Sequence, residues 1–304
     1  MLGHSKILSA VVLCALCVAP LRSHTAPASK TEVVLLGTGT PYPDPKASGP
    51  ATAVTSDGHV FLFDAGVGVL RQMNAAGLPI SGPDALFITH LHSDHMLGYA
   101  DLVLTSWIMR RRTPLKVYGP PGLRKMSEKL LSAFEEDIRI RTQGLEREIP
   151  GGYRVEIHEI RPGVAYDVGG IRIKAFAVEH GSWKYAYGYR VDTPDRSIVV
   201  SGDARPSESL VAASTGIDVL VHEVYCAKYL AKEDRPGGEF WPQYMREFHT
   251  SDVELGGLAV RIKPKLLLMT HIIRQGATDE ELLEGVRKGG FTGASVVGKD
   301  LGRY

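Results

Sequence analysis

The stretch Ala85-Leu-Phe-Ile-Thr-His90-Leu-His92-Ser-Asp94-His95-Met-Leu-Gly98 decides how this chain is to be read. It opens as an apolar run of strand type and closes with three histidines and an aspartate within six positions. His90 and His92 are two apart, so at the end of a strand they point to the same face. Asp94 and His95 fall where the chain must turn. Such a loop can aim two side chains at one point and two at a neighbouring one. Imidazole nitrogens and carboxylate oxygens are the ligands of catalytic zinc sites, and with no cysteine nearby the closed, cysteine-rich structural site is excluded. An incidental polar loop is a poor account of four ligand-type side chains in six positions, and the run reads as a metal site.

Four side chains can hold one cation but hardly two with a position left open. Three further strand-like runs end in the same way. Ile171–Val178 leads to Glu179-His180-Gly181, Ser197–Val200 to Ser201-Gly202-Asp203, and Leu266–Met269 to Thr270-His271. Catalytic groups gather on loops held by a rigid scaffold. Taken singly, a His or Asp after a strand is more often a cap or a turn. Taken with His90, His92, Asp94 and His95, the residues His180, Asp203 and His271 complete a set of seven.

Short β-branched runs bounded by Gly, Pro or Asp predict strands. They are Glu32–Leu36, Val60–Asp64, Ala85–Thr89, Leu115–Tyr118, Tyr153–Glu159, Ile171–Val178, Tyr187–Val191, Ser197–Ser201, Val219–His222, Leu266–Thr270 and Ala294–Val297. Helices are predicted over Gly66–Ala76, Leu97–Met109, Leu123–Ala133, Ser207–Ser214, Val253–Ile262 and Asp279–Arg287. Ser251 with Glu254 three residues on forms a capping box. Gly256-Gly257 costs that helix some helicity and suggests close packing against a strand. This order of elements points to two packed sheets with helices outside, a layered α/β domain.

These residues make the chain resemble the metallo-β-lactamase superfamily, whose hallmark His-x-His-x-Asp-His run stands at His90, His92, Asp94 and His95. Leu36-Gly-Thr-Gly-Thr-Pro41, Leu62-Phe-Asp-Ala-Gly66, Tyr118-Gly-Pro-Pro-Gly122, Ser201-Gly-Asp203, His222-Glu-Val-Tyr225, His249-Thr-Ser251 and Thr270-His271 are similar to the ribonuclease Z and arylsulfatase branch. The resemblance covers about Glu32 to Lys299. It implies a four-layer αββα sandwich and a hydrolase with two divalent metal ions. Zinc is the default, with manganese or iron open. His90, His92 and His180 would hold the first metal, Asp94, His95 and His271 the second, and Asp203 would bridge them. A water or hydroxide activated between the cations would attack an ester-type bond, and Asp94 is placed to accept its proton. His249 matches the family's leaving-group acid, and a histidine can donate a proton at pH 7. Glu223 would orient it. His222, at the end of an apolar strand, reads as a structural histidine.

The chain has 304 residues, 44% hydrophobic and 23% charged, which allows one large α/β domain or two small ones. Residues 1–28 have the layout of a secretory signal peptide: Lys6, an apolar run Ile7–Leu21, then Ala26-Pro-Ala28. That predicts a periplasmic or secreted hydrolase domain over residues 29–304, with no stable membrane anchor after removal of the signal. Removal takes away Lys6, Arg22 and no acid, leaving a nearly neutral chain. Only Cys226 then remains, so no internal disulfide forms. Arg110-Arg111-Arg112 reads as a solvated helix end.

Processing ribonucleases of the branch carry a long arm that grips transfer RNA, between the positions matching His180 and Asp203. Here 22 residues separate the two. The missing arm, the near-neutral charge and the export signal make a nucleic-acid partner an unlikely one on sequence grounds. The expectation is a small-molecule substrate: a phosphodiester, sulfate ester or lactone. A β-lactam hydrolase, a ribonuclease Z-like phosphodiesterase on RNA and a non-catalytic periplasmic metal-binding protein are the alternatives.

Overall fold

Alternating strand sequences explain why there are layers on both sides of each sheet. In Thr31–Gly37 (β1) Val33 and Leu35 face one core and Val34 and Leu36 another, and all four are fully buried. A strand buried on both faces needs a packed layer against each. The computed structural model describes Met1 and residues 30–304 and supplies both layers. Apart from Met1, the predicted signal segment lies outside the described residues.

The first sheet runs β1, Ala51–Ser56 (β2), His59–Phe63 (β3), Ala85–Phe87 (β4), Leu115–Gly119 (β5) and Val155–Glu159 (β6), neighbour to neighbour in chain order. Its first three strands pair antiparallel and the rest parallel. The second sheet is built from Gly163–Val168 (β7), Ile171–Ala177 (β8), Tyr187–Asp192 (β9), Ser197–Val200 (β10), Val219–Tyr225 (β11), Leu266–Ile273 (β12) and Ser295–Val297 (β13). There β7 to β10 pair antiparallel and β10 to β13 parallel.

Between the sheets lies an apolar layer in which Phe61, Phe63 and Phe87 meet Tyr189, Val191, Val221 and Leu268. The rings of Phe63 and Phe87 stack at 5.3 Å. Helices Val69–Ala75 (α1), Tyr99–Ile108 (α2) and Leu123–Ala133 (α3) cover the outer face of the first sheet. A polar helix, Glu135–Gln143 (α4), follows α3. Helices Glu208–Ala213 (α5), Asp252–Ile262 (α7) and Asp279–Lys288 (α8) cover the second sheet, and Trp241–Phe248 (α6) leads to His249. This is the αββα sandwich expected from the sequence.

The capping box at Ser251 and Glu254 forms as predicted. Two local expectations change. Gly256 does mark close packing, but against a helix: a Cβ there would lie 2.2 Å from the Val286 carbonyl oxygen of α8. Arg111 is not solvated. It is buried and donates to the carbonyls of Val103 and Gly152, tying the end of α2 to the loop before β6.

Gly98 joins the His90–His95 loop to α2. Its N–H donates to the Ala65 carbonyl at 2.9 Å, and a Cβ would fall 2.0 Å from the Gly66 carbonyl oxygen. Two loops thus pass at backbone contact beside the histidine run. Gly98→Ala is expected to destabilise the fold by about 1–3 kcal/mol, lowering the melting temperature by several degrees. An unchanged thermal transition would show that the loops can part without cost.

Candidate metal centre

The seven side chains singled out in the sequence converge. His90 and His92 leave the end of β4, and Ser93–His95 makes a single 3-10 turn that brings Asp94 and His95 round to the same side. His180 follows β8 and Asp203 follows β10, where Gly202 turns the chain at φ 62°. That conformation is cheap only for glycine. His271 is inside β12, not after it. It is the extra residue of a bulge, opposite the step from Glu223 to Val224, with φ 41°. A bulge re-aims one side chain without ending the strand.

Two groups of donor atoms result from the predicted seven, and a third, overlapping them, joins Asp203 and His271 to His249. In one, Nδ1 of His92 lies 2.9 Å from Nε2 of His90 and 3.1 Å from Nε2 of His180, with Asp203 completing the set. In the other, His271 Nε2 is 3.2 Å from Asp94 Oδ2, and His95 Nε2 is 3.5 Å from the same oxygen. Asp203 touches both. Its Oδ1 lies 3.3 Å from His95 Nε2, and its Oδ2 lies 3.5 Å from His271 Nε2 and 3.9 Å from His90 Nε2.

The surrounding hydrogen bonds fix which ring nitrogens face inward. Thr89 gives its hydroxyl proton to Asp64 at 2.8 Å, so its oxygen accepts from His90 Nδ1 at 3.0 Å. His95 Nδ1 donates to Asp64 at 2.8 Å. His180 Nδ1 donates to the Phe248 carbonyl at 2.7 Å. Each commits Nδ1 to a partner behind the ring and turns Nε2 toward the centre. His92 differs: Trp183 donates to its Nε2 at 2.6 Å, so a neutral His92 carries its proton on the inward Nδ1. A cation arriving there must displace that proton.

Burial pushes His90 well below its ordinary pKa and His180 down to about 4, so both are neutral near pH 7. Burial works against ionisation of Asp203, but His271 and His95 outweigh it and hold its carboxyl well below the carboxylate range. His95 is pulled down by burial and raised further by Asp203 and Asp64. Buried His95 Nε2 and Asp203 Oδ1 have no hydrogen-bond partner although they face each other. Converging lone pairs, ionised buried carboxylates and unsatisfied polar atoms are the donor set a divalent cation requires, and the residues fit one.

Beside the centre, Glu223 Oε1 accepts from His249 Nδ1 at 3.1 Å and from the backbone N–H groups of Ala204 and Thr250, each at 3.2 Å. His249 Nδ1 is 4.0 Å from Asp203. Burial lowers the His249 pKa, but Glu223 and Asp203 more than reverse this and raise it. His222 and Glu223 lie within β11, which continues to Tyr225, so the predicted strand stopped three residues early. His222 Nδ1 donates to the Glu223 carbonyl, and the ring is no part of the donor groups.

A family model described as a β-lactamase superfamily domain matches residues 59–272. This chain belongs to the metallo-β-lactamase superfamily. It is 36% identical to the ribonuclease Z of Mycobacterium sp. strain KMS over 254 residues, 82% of this chain and 87% of the relative. To the ribonuclease Z of Mycobacterium bovis BCG Pasteur it is 33% identical over 276 residues, 90% of this chain and 97% of the relative. Among solved structures, the human short-form tRNase Z superposes with a TM-score of 0.66 at 22% identity, covering 90% of this chain and 98% of that one. The metallo-β-lactamase-fold protein YhfI of Bacillus subtilis gives 0.68 at 18%, covering 90% and 99%. These two likenesses speak for the fold. The superfamily member described here is a metal-dependent hydrolase.

The ribonuclease Z relatives overturn the expectation that nucleic acid is an unlikely partner. The missing arm is the reason that expectation failed. The 276-residue alignment is scarcely longer than the part of this chain it covers, so the Mycobacterium bovis relative has no long insertion there either. The 22 residues between His180 and Asp203 are filled by β9, a turn and β10 in a protein of the same design.

One contributor was missed. Asp64 also accepts from the Thr89 N–H at 2.8 Å, so one buried carboxylate orients His95 directly and His90 through Thr89. Its signal was present in Leu62-Phe-Asp-Ala-Gly66, an acid at the end of an apolar strand, and its φ of 61° marks a position held by its surroundings. Asp64→Asn replaces an acceptor with a donor facing other donors. It is expected to weaken metal affinity by about 10–100-fold, read by competition with a chelator. Affinity equal to wild type would remove Asp64 from this role.

Proposed function

We propose that this protein is a ribonuclease Z-like phosphodiesterase that hydrolyses RNA at a two-metal centre. The observation that carries the reading is the joining of Asp203 to both donor groups, with His249 standing 4.0 Å from the same carboxylate. In this proposal His90, His92 and His180 would hold one cation and Asp94, His95 and His271 the other, with Asp203 available to both. Zinc suits the nitrogen-rich set. When bound, two such cations supply positive charge to the phosphoryl oxygens and acidify a water.

The chain's own residues move the protons. Asp94, held ionised by His271 and His95 against its burial, takes the proton of the attacking water. His249, its pKa raised by Glu223, carries a proton near neutral pH and gives it to the oxygen that leaves phosphorus. The water oxygen bonds to phosphorus as the leaving P–O bond breaks, so the substrate ends as a phosphate monoester and an alcohol. Glu223, fixed by the backbone N–H groups of Ala204 and Thr250, holds the imidazole in place.

The metal-loaded protein is expected to cleave both a transfer RNA with a 3′ extension and bis(4-nitrophenyl) phosphate, and a chelator should stop both. A metal-replete sample that cleaves neither refutes the proposal. His249→Ala should slow cleavage by about 10²–10⁴-fold. Glu223→Gln removes the charge that raises the His249 pKa. His249 then loses its proton at lower pH, so the alkaline limb of the pH–rate profile should move to lower pH. A limb that stays in place would dissociate it from His249.

A further inference from the structure

Of the three rings in the first donor group, His92 is the one whose outward nitrogen meets a donor. Trp183 Nε1 lies 2.6 Å from His92 Nε2, and the two rings meet edge to face at 4.8 Å and 85°. An indole nitrogen only donates, so His92 Nε2 accepts and the ring's proton sits on Nδ1. That Nδ1 lies 2.9 Å from His90 Nε2 and 3.1 Å from His180 Nε2. Those two rings carry their own protons on Nδ1, committed to Thr89 and to the Phe248 carbonyl, so both Nε2 atoms accept. The His92 proton thus occupies the point where the three nitrogens converge.

A cation held by the same three nitrogens needs that point. Binding through Nδ1 expels the proton there, and the neutral ring then carries one on Nε2, as ligating imidazoles do on the nitrogen away from the metal. One proton leaves and one is gained, so the ring stays neutral. Nε2 becomes a donor facing the indole donor at 2.6 Å, a separation that suits one N–H between the two nitrogens and has no room for two. The indole and the cation therefore exclude each other. Trp183 is placed to yield. It is half-buried on the loop after His180, between the exposed residues Ser182 and Lys184. Its ring packs only on the small cluster of Val178, Ala186 and Ala204, apart from the layer between the sheets.

We propose that Trp183 is a metal-responsive latch: its indole N–H holds His92 while the ring's proton is on Nδ1, and is released when a cation takes that nitrogen. This deepens the metal-centre reading and rests on a cation bound by His90, His92 and His180, not on RNA as the substrate. Thr89, Asp64 and the Phe248 carbonyl favour the ligating geometry of their rings, whereas Trp183 opposes that of His92. The indole also lies against His90 at 5.9 Å, and the Trp183 backbone N–H bonds the His180 carbonyl at 3.0 Å. Its release therefore couples metal loading to the loop that borders all three ligands.

The test adds zinc, which has no redox chemistry of its own, to chelator-treated protein. Trp183→Phe keeps an aromatic ring and deletes the donor. Zinc affinity of the variant, read by competition with a chelator, is expected to rise about fivefold, the scale of one net hydrogen bond. Removal of an ordinary outer partner would lower it instead. In isotope-labelled wild type, the Trp183 indole N–H resonance is expected to move on zinc addition and its exchange with solvent to quicken. Single Trp→Phe variants at Trp107, Trp183 and Trp241 assign the three indole signals, and any two suffice if one variant does not fold. Bound zinc with the Trp183 signal unmoved overturns the proposal, and so does a Trp183→Phe protein that binds zinc equally or more weakly; the metal centre stands in both cases. A wild-type protein that takes up no zinc overturns the proposal together with the two-cation reading. If zinc acts as expected but no phosphodiester is cleaved, the latch stands and the phosphodiesterase reading falls.

Discussion

A buried, ionised carboxylate at Asp203 is the constraint on which the rest of this structure depends. It is 2% exposed, and burial alone would drive it to its neutral form. It stays charged because the imidazoles of His271, His95 and His90, from two separate parts of the chain, surround it. Such a group is tolerated only where opposite charge is held close in fixed geometry. Everything around it serves that fixing. The rings of His90, His95 and His180 are pinned from behind by Thr89, Asp64 and the Phe248 carbonyl, which turns their Nε2 atoms inward.

Rigidity of this order comes from the sheets. The ligand-type residues occupy the C-terminal ends of β4, β8 and β10 and a bulge in β12, on two sheets clamped by one aromatic and aliphatic layer. Left-handed backbone occurs there at Asp64 and His271, and at Gly181 and Gly202. Strain of this kind persists only where surrounding packing over-determines it. The core thus contributes more than burial: it holds four bent chain segments against one another while their polar ends point at a common space.

The donor set was legible in the sequence because it needed only residue type, spacing and the recurrence of apolar runs ending in His or Asp. What escaped has physical causes. His271 was placed after a strand, since one-dimensional periodicity cannot show a bulge that lets the strand run on to Ile273. Asp64 was passed over because an acid after a strand reads as a turn until its three donors are seen. Helix α4 buries only Ile138 and so has no apolar stripe to read. Helix α6 was not among the predicted helices; it opens with Pro242 in its first turn, a position that proline suits. Edge strand β7 is largely exposed, so it lacks the apolar signature of the strands within the sheet.

The same limit explains the misjudged partner. Net charge and inserted segments are global properties, and they describe how a protein grips a polyanion at a distance from the reacting bond. The local centre follows different rules. Two ionised aspartates, Asp94 and Asp203, beside His90 and His180, which burial keeps neutral, would repel a phosphodiester if left alone. The cations that such a donor set accepts reverse that field and are the largest local charges in the site. The sign of the potential at the centre is therefore set by what the buried ligands hold and not by the balance of lysines and glutamates on the surface. A nearly neutral chain can thus present a positive pocket to one phosphate, and its overall composition does not argue against RNA.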